Sequence, residues 1–228
     1  RQKIMKVFIF LIALVITACV PQPKSIHQVD SENNFSETIN NLSQVRIGLD
    51  ILLEEKFDLI RNKSIALVTN HSGLDKNGVP NYKRFMTQKN IKLKIIFSPE
   101  HGLFGEAADG YKINYNWQIN TLPHIVSLYG SAIKPKKEHL EGVDVIIYDI
   151  QDVGARFYTY ITALGQIMEV ASNQGIPIMI LDRPNPITGI KVEGPILDLN
   201  NRSYVGYYPI PIRYGLTIGE LAKMIIGE

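Results

Sequence analysis

Four short apolar runs, each followed directly by a cluster of polar residues, constrain the fold of this chain more than any other feature. Each run is apolar on both faces, as strands buried inside a parallel sheet are, and helix-like segments separate several of them. The runs cover residues 64–69, 93–97, 143–148 and 178–181. This alternation predicts an α/β fold with a doubly wound, mostly parallel sheet.

Helices are expected between and after these strands. The predicted segments cover residues 82–89, 135–140, 160–174 and 217–226. Pro135 suits the first turn of the second of these helices, and Gly175 stands where a terminator of the third belongs. Thr217 and Glu220 form a capping-box pattern that opens the last helix. The chain therefore contains the helices that a doubly wound sheet requires.

Polar clusters after parallel strands gather along one edge of the sheet, where open α/β folds generally bind ligands. The clusters begin at Asn70, Ser98, Asp149 and Asp182. A single cluster is explained by loop solvation alone. Four clusters that are rich in carboxylates, His, Asn and Arg favour a common site.

The N-terminal segment has the pattern of an export signal. Lys6 precedes an apolar run over residues 7–16, which is shorter than the roughly 20 residues that a helix needs to span a bilayer. The run leads into Ile16-Thr17-Ala18-Cys19, which resembles a bacterial lipobox, and Cys19 is the only cysteine of the chain. We expect residues 1–19 to be a signal peptide that is lipidated at Cys19; an uncleaved anchor or a buried thiol is the alternative.

Residues 20–44 are polar and rich in Ser, Asn and Gln, which is typical of a flexible tether, so the folded part should begin near Val45. The expected location is the bacterial cell envelope, with the protein exported and attached to a membrane by its lipid, on the periplasmic side or the outer surface. Of the 24 basic residues, Arg1, Lys3 and Lys6 lie in the signal segment, which leaves 21 against 22 acidic residues. This balance gives no reason to expect a nucleic-acid partner.

Several families of sites are missing from the sequence. The loop after the first strand has no G-x-G-x-x-G motif, and the chain has no P-loop lysine motif, no G-x-S-x-G elbow and no H-E-x-x-H pair. We therefore expect no cofactor. A metal site is not predicted either, although four side chains could meet in space: His71, Glu100, His101 and Asp149.

Carboxylates at the strand ends suit the hydrolysis of a glycosidic bond, which typically needs a carboxyl acid and often a second carboxyl group. The candidates are Glu100, Glu106, Asp109, Asp149, Asp152 and Asp182. Glu100 stands between Pro99 and His101, in a rigid turn where partial desolvation would favour the protonated form that a general acid needs. The alternative is a structural hydrogen bond from Glu100 to loop amides.

Three sequence blocks together resemble the signatures of the NamZ-type exo-β-N-acetylmuramidases, a family formerly described as a domain of unknown function. The blocks are S-P-E-H-G-L-F-G from Ser98, Y-D-I-Q-D-V-G-A-R-F-Y-T-Y from Tyr148 and L-D-R-P-N-P from Leu181. The resemblance runs from about Val45 to the C-terminus. It implies a Rossmann-like catalytic domain over residues 45–228, with a smaller C-terminal domain largely missing from this chain.

The resemblance also implies an activity: removal of N-acetylmuramic acid from the non-reducing end of peptidoglycan fragments, in cell-wall turnover or salvage. Glu100 is the expected general acid, and Asp149 or Asp152 the second catalytic group. Arg156 is expected to pair with the lactyl carboxylate of muramic acid, or else to form a salt bridge with Asp149 or Asp152. The remaining candidates for the pocket are Asn70, His71, His101, Tyr158, Asp182, Arg183 and Asn185.

Two other functions fit the same sequence features. A non-catalytic solute-binding lipoprotein for a cell-wall sugar also combines a lipobox, a tether and an α/β domain with ligands at the strand ends. A metal-dependent hydrolase is the third possibility, and it would lose its activity in the presence of a chelator. Turnover that depends on Glu100 distinguishes a glycosidase from a binding protein.

Overall fold

A computed structural model describes residues 45–105, 122–129 and 134–227. Its centre is a sheet of five strands, in the spatial order β3-β2-β1-β4-β5, in which every neighbouring pair is parallel. The strands are β1 (Ser64–Thr69), β2 (Lys92–Ser98), β3 (His124–Ser127), β4 (Val145–Asp149) and β5 (Ile178–Ile180). The chain reverses its direction of travel across the sheet between β1 and β4, which is the place where such sheets open a crevice.

Within the described ranges, four α-helices accompany the sheet: α1 (Gly48–Glu54), α2 (Asn81–Met86), α3 (Tyr160–Gln174) and α4 (Ile218–Gly227). The same ranges contain short 3₁₀ turns at Phe57–Leu59, Lys137–Leu140 and Leu199–Asn201. None of the helices in the described ranges is long and apolar enough to cross a membrane.

Two hydrophobic cores, one on each face of the sheet, confirm the doubly wound α/β fold. In β1, Ala66 and Val68 face the core that contains α3 and α4. The intervening residues Ile65 and Leu67 face the core that contains α1 and α2. Because successive strand residues point to opposite faces, a strand that is apolar at every position is buried on both sides.

The strongest sequence signals gave accurate boundaries. The strand Ser64–Thr69 and the helix Tyr160–Gln174 lie where they were predicted, and Gly175 ends α3 in the left-handed conformation, with φ at 68°. The capping box of α4 is present, because the Thr217 amide donates to Glu220 Oε2 at 2.8 Å and the Glu220 amide donates to Thr217 Oγ1 at 3.2 Å.

Other elements differ from the prediction. Pro135 does not start a helix. The next element is a 3₁₀ turn that begins at Lys137, and Lys136 directly precedes it. The sequence pattern also missed α1 and the short strand β3, which has only partly buried or exposed side chains. The predicted signal peptide with Cys19, the tether, and the carboxylates Glu106 and Asp109 lie outside the described residues.

Candidate active site

The carboxyl ends of the central strands place three of the predicted polar clusters side by side. Thr69, the last residue of β1, pairs in register with Asp149, the last residue of β4. The Thr69 hydroxyl donates to the Asp149 carbonyl at 2.9 Å, and the Gln151 amide donates to Ser72 Oγ at 3.0 Å. The loops after β1 and β4 are therefore linked, and the loop after β2 lies on the other side of β1.

Glu100 stands in the tight turn after β2. The Gly102 amide donates to the Pro99 carbonyl at 3.2 Å, and His101 and Gly102 both have positive φ, 71° and 80°. A positive φ is uncommon for a residue with a Cβ atom, and strained backbone of this kind clusters at functional sites. The turn presents the half-buried Glu100 at the edge of the sheet.

The start of α3 faces Glu100. Thr159 Oγ1 donates a hydrogen bond to Glu100 Oε2 at 3.0 Å. Burial raises the pKa of Tyr160 to about 12 and also raises the pKa of Tyr204, and the negative charge of Glu100 adds to both increases. Both phenols therefore stay protonated near neutral pH, and they can act as hydrogen-bond donors around the carboxyl group.

Asp152, in the loop after β4, is a buried carboxyl group with one satisfied oxygen. Its Oδ2 atom accepts hydrogen bonds from the Tyr214 hydroxyl and from the Gly154 amide, the latter at 2.7 Å. Its Oδ1 atom is buried without a partner in the described part of the chain. Burial raises the pKa of Asp152, and the hydrogen bonds from Tyr214 and from main-chain amides oppose that increase. The pKa of Asp152 is therefore above the value of an exposed aspartate.

Asp149 has a different environment. Its side chain is fully buried and forms a two-point ion pair with Arg183, with Nε at 2.7 Å from Oδ1 and Nη2 at 3.2 Å from Oδ2. Asn81 Nδ2 donates to Oδ2 at 2.8 Å, and Arg183 also donates to the Leu74 carbonyl at 2.8 Å. These contacts join the loops after β1, β4 and β5 beneath the edge of the sheet.

Asp182 and Asn185, from the third sequence block, organise the C-terminal segment. Asp182 accepts hydrogen bonds from Thr217 Oγ1 at 2.7 Å and from the Gly219 amide at 2.8 Å, so it anchors the start of α4. Asn185 accepts from the Ile187 amide at 3.0 Å and donates to the Leu216 carbonyl at 2.9 Å. Both side chains are occupied by contacts within the protein.

Arg156 forms neither of the salt bridges that were the alternative to substrate binding. Its Nη1 atom donates to the Pro195 carbonyl at 2.6 Å and also to the Ile210 carbonyl. Asp149 is paired with Arg183 instead, and Asp152 with Tyr214. Arg156 thus links the loop after β4 to the irregular segment that precedes α4.

The loop after β1 carries two further candidates. Asn70 is buried, and its Oδ1 atom accepts from the Ser72 amide at 2.9 Å and from the Ser72 hydroxyl at 2.6 Å. His71 is exposed beside the Glu100 loop, since a Cβ atom on Gly105 would lie 2.7 Å from His71 Nδ1. Within the residues that the structure describes, no three His, Cys, Asp or Glu side chains form a group that could hold a metal ion.

Tyr158 is half-buried, and its ring meets the ring of Tyr160 edge to face, with 5.0 Å between the centroids. Thr159, Tyr204 and Tyr214 were not among the predicted site residues, although all three contact or surround the candidate carboxyl groups. Thr159 lies inside the second sequence block, but its partner Glu100 is 59 positions away. Tyr204 and Tyr214 come from a segment with no strand or helix periodicity, so no pattern in the sequence marks them.

Comparison with known proteins shows which family has sequences similar to this chain. The family model described as "Exo-beta-N-acetylmuramidase NamZ, N-terminal" matches residues 65–228. The chain is also similar to the peptidoglycan beta-N-acetylmuramidase NamZ of Bacillus subtilis (strain 168), with 40% identity over 226 residues. That match covers 97% of this chain and 52% of the Bacillus protein, so the chain spans about half the length of this relative.

Two crystal structures of DUF1343 family proteins from Bacteroides fragilis have the same fold. The first superposes with a TM-score of 0.71 at 37% identity, and it covers 80% of this chain and 46% of its own. The second gives a TM-score of 0.68 at 39% identity, with 81% of this chain and 47% of its own chain covered. The described domain is thus one that also occurs in longer proteins.

Proposed function

Since the chain belongs to the NamZ family of exo-β-N-acetylmuramidases, we propose that it is a glycosidase that removes N-acetylmuramic acid from the non-reducing end of peptidoglycan fragments. One observation carries the proposal. Glu100, in the block that resembles the family signature, projects from a strained turn at the strand edge and is held there by Thr159 at 3.0 Å. The site is thus built around a carboxyl group that the fold orients.

In this mechanism Glu100 is the general acid. It transfers its proton to the glycosidic oxygen while the bond from that oxygen to the anomeric carbon breaks, and water finally completes the hydrolysis. The phenols of Tyr160 and Tyr204 lie near enough to respond to the charge of Glu100, and they are protonated. They are suited to donate hydrogen bonds to the ionised carboxylate that follows proton transfer.

Of the two aspartates considered for the second role, we favour Asp152. Asp149 is fully buried and its oxygens are engaged by Arg183 and Asn81, so a sugar ring cannot reach it without breaking the ion pair. Asp152 is also buried, but its Oδ1 atom has no partner in the described chain, and its charge influences Tyr160, as the charge of Glu100 does. Asp152 therefore shares the surroundings of the acid.

Recognition of the substrate is assigned to the rim of this edge. One terminal nitrogen of Arg156 donates hydrogen bonds to two main-chain carbonyls, which fixes the plane of the guanidinium group. A fixed planar guanidinium suits the lactyl carboxylate that distinguishes muramic acid from glucosamine. His71, His101 and Tyr158 are the further candidates for contacts with the sugar, since each lies on a loop at the same edge.

The test is the release of free N-acetylmuramic acid from a small muramyl disaccharide. The complete gene product from Ser25 onward is compared with its Glu100→Gln variant and with Glu141→Gln, which changes an exposed glutamate outside the site. We expect Glu100→Gln to lower the rate about 10²- to 10⁴-fold and Glu141→Gln to leave it unchanged. No release from a folded wild-type protein, together with binding of the disaccharide, would contradict the glycosidase and favour a binding lipoprotein.

We further propose that the protein is exported and attached to a membrane of the cell envelope by a lipid on Cys19. The support is the charged and apolar signal pattern that ends in Ile16-Thr17-Ala18-Cys19. In membrane fractionation of a bacterial host, wild type should sediment with membranes, and Cys19→Ser should not gain the lipid. An equal distribution of the two proteins would argue against the anchor.

A further inference from the structure

The hydroxyl group of Thr159 makes an unusual contact for its position. Thr159 directly precedes α3, where a threonine side chain commonly accepts a hydrogen bond from a helix amide. Here its backbone is already helical, with φ at −75° and ψ at −9°, and the side chain forms no cap. The hydroxyl proton is donated instead to Glu100 Oε2 at 3.0 Å, from a threonine that is 7% exposed.

The next turn of the same helix face makes a second contact with the site. Thr162 is fully buried, and its Oγ1 atom donates to the Tyr204 carbonyl at 2.8 Å. Residues three apart on a helix lie on the same face, so Thr159 and Thr162 act side by side. The Tyr204 ring also meets the ring of Tyr129, with 5.9 Å between the centroids. The first turn of α3 thus fixes both Glu100 and the segment around Tyr204.

We propose that Thr159 is a positioning residue that orients the Glu100 carboxyl group for proton transfer. This inference rests on the proposed function, in which Glu100 is the general acid. A hydrogen bond from a buried and rotationally restricted donor restrains the orientation of the carboxyl group, and general acid catalysis depends on that orientation. Loss of the bond should therefore reduce the rate of the chemical step more than substrate binding.

The experiment compares three variants in the disaccharide assay. Thr159→Val has nearly the same shape without the hydroxyl, and Thr159→Ser keeps the hydroxyl. Thr87→Val is the matched control, because the exposed Thr87 donates only to the Arg84 carbonyl, at 2.9 Å, at the end of α2. We expect Thr159→Val to lower kcat by about 10- to 100-fold with KM changed by less than about threefold. Thr159→Ser should recover most of kcat, and Thr87→Val should match wild type.

The outcomes separate this inference from the proposed function. Wild-type kcat in Thr159→Val, or a rise in KM alone, would overturn the positioning role while leaving the glycosidase intact. A loss that Thr159→Ser fails to recover would also overturn it, since packing and not the hydroxyl would then matter. No release by wild type would overturn both proposals. If Thr159→Val does not fold, the ratio of kcat between Thr159→Ser and Thr159→Ala decides the question.

Discussion

Glu100 and Asp149 lie at the same edge of the sheet, Glu100 just after β2 and Asp149 at the end of β4, yet their surroundings differ. Asp149 is fully buried, and its two oxygens accept hydrogen bonds from Arg183 and Asn81 at 2.7 to 3.2 Å. Glu100 is half-buried, lies in a strained turn and accepts a hydrogen bond from the Thr159 hydroxyl at 3.0 Å. The sequence alone made both residues catalytic candidates, Glu100 as the general acid and Asp149 as one of two alternatives for the second group.

This difference shows how the site divides stability from chemistry. A buried carboxylate between charged and amide donors has no remaining capacity for a substrate, but it contributes strongly to the native structure while its partners are intact. A carboxyl group that is only half-buried, at a partly open edge, can exchange its proton. Position at a strand end predicts a candidate, and the set of partners decides which role the candidate can perform.

The largest expected effect comes from breaking the Asp149 ion pair. Arg183→Met keeps much of the side-chain volume but leaves Asp149 buried without its cation, so we expect a loss of about 3–5 kcal/mol in the free energy of unfolding, measured with urea. Arg61→Met is the matched control, because Arg61 pairs with Asp58 at 2.7 Å on the surface, and should cost less than about 1 kcal/mol. Similar losses of unfolding free energy in the two variants would contradict the expected difference between the buried and the exposed ion pair.

Asp182 should show an intermediate effect, since it is partly buried and anchors α4. Asp182→Ala removes the acceptor for Thr217 Oγ1 and for the Gly219 amide, so we expect a loss of about 1–2 kcal/mol in urea unfolding. Asp198→Ala removes a comparable contact to the Asn200 amide, at 2.9 Å, from an exposed 3₁₀ turn and should cost about 0.5 kcal/mol or less. If Asp182→Ala leaves the free energy of unfolding unchanged, Asp182 contributes to the site rather than to the stability of the fold.

The sheet could be predicted from the sequence because four of its strands contain short runs that are mainly apolar on both faces. That pattern arises from burial on both faces, so it located β1, β2, β4 and β5. The strand β3 could not be found in the same way, because its four residues are partly buried or exposed. The short helix α1 begins without a side-chain cap, so no local signal marked its start.

The candidate site could be predicted only in part from the sequence, because the role of each carboxyl group depends on contacts with residues far away in the chain. Strand ends selected Glu100, Asp149 and Asp152, but the partners that distinguish them come from other elements. Asp152 meets Tyr214, 62 positions later, and Thr159 lies 59 positions after Glu100. Such pairings follow from the tertiary fold, and no local pattern in a single sequence encodes them.

A smaller effect is expected for the pH dependence of stability at Asp152. Burial raises the pKa of this carboxyl group in the folded protein above its ordinary value, so the folded state binds more protons than the unfolded state between the two values. Its contribution to stability is complete at low pH and is lost as the pH rises through the folded pKa. Each unit of difference corresponds to about 1.4 kcal/mol. Asp152→Asn should flatten this decline at pH values above the ordinary pKa of 3.8, measured by urea unfolding across a series of pH values, whereas Asp198→Asn should not.

The smallest change in stability should belong to Glu100→Gln, the variant with the largest expected loss of activity. Glutamine keeps an oxygen that can accept the hydrogen bond from Thr159, and the Glu100 side chain is half-buried rather than enclosed. We therefore expect a change within about 0.5 kcal/mol in urea unfolding, in either direction. A loss above about 1.5 kcal/mol would place Glu100 with Asp149 among the structural carboxylates, and the abolished activity of the variant would then report unfolding. A neutral or slightly stabilising change, in a variant that no longer releases the sugar, would show that the fold keeps this carboxyl group for its chemistry, because residues retained for function commonly contribute little to stability.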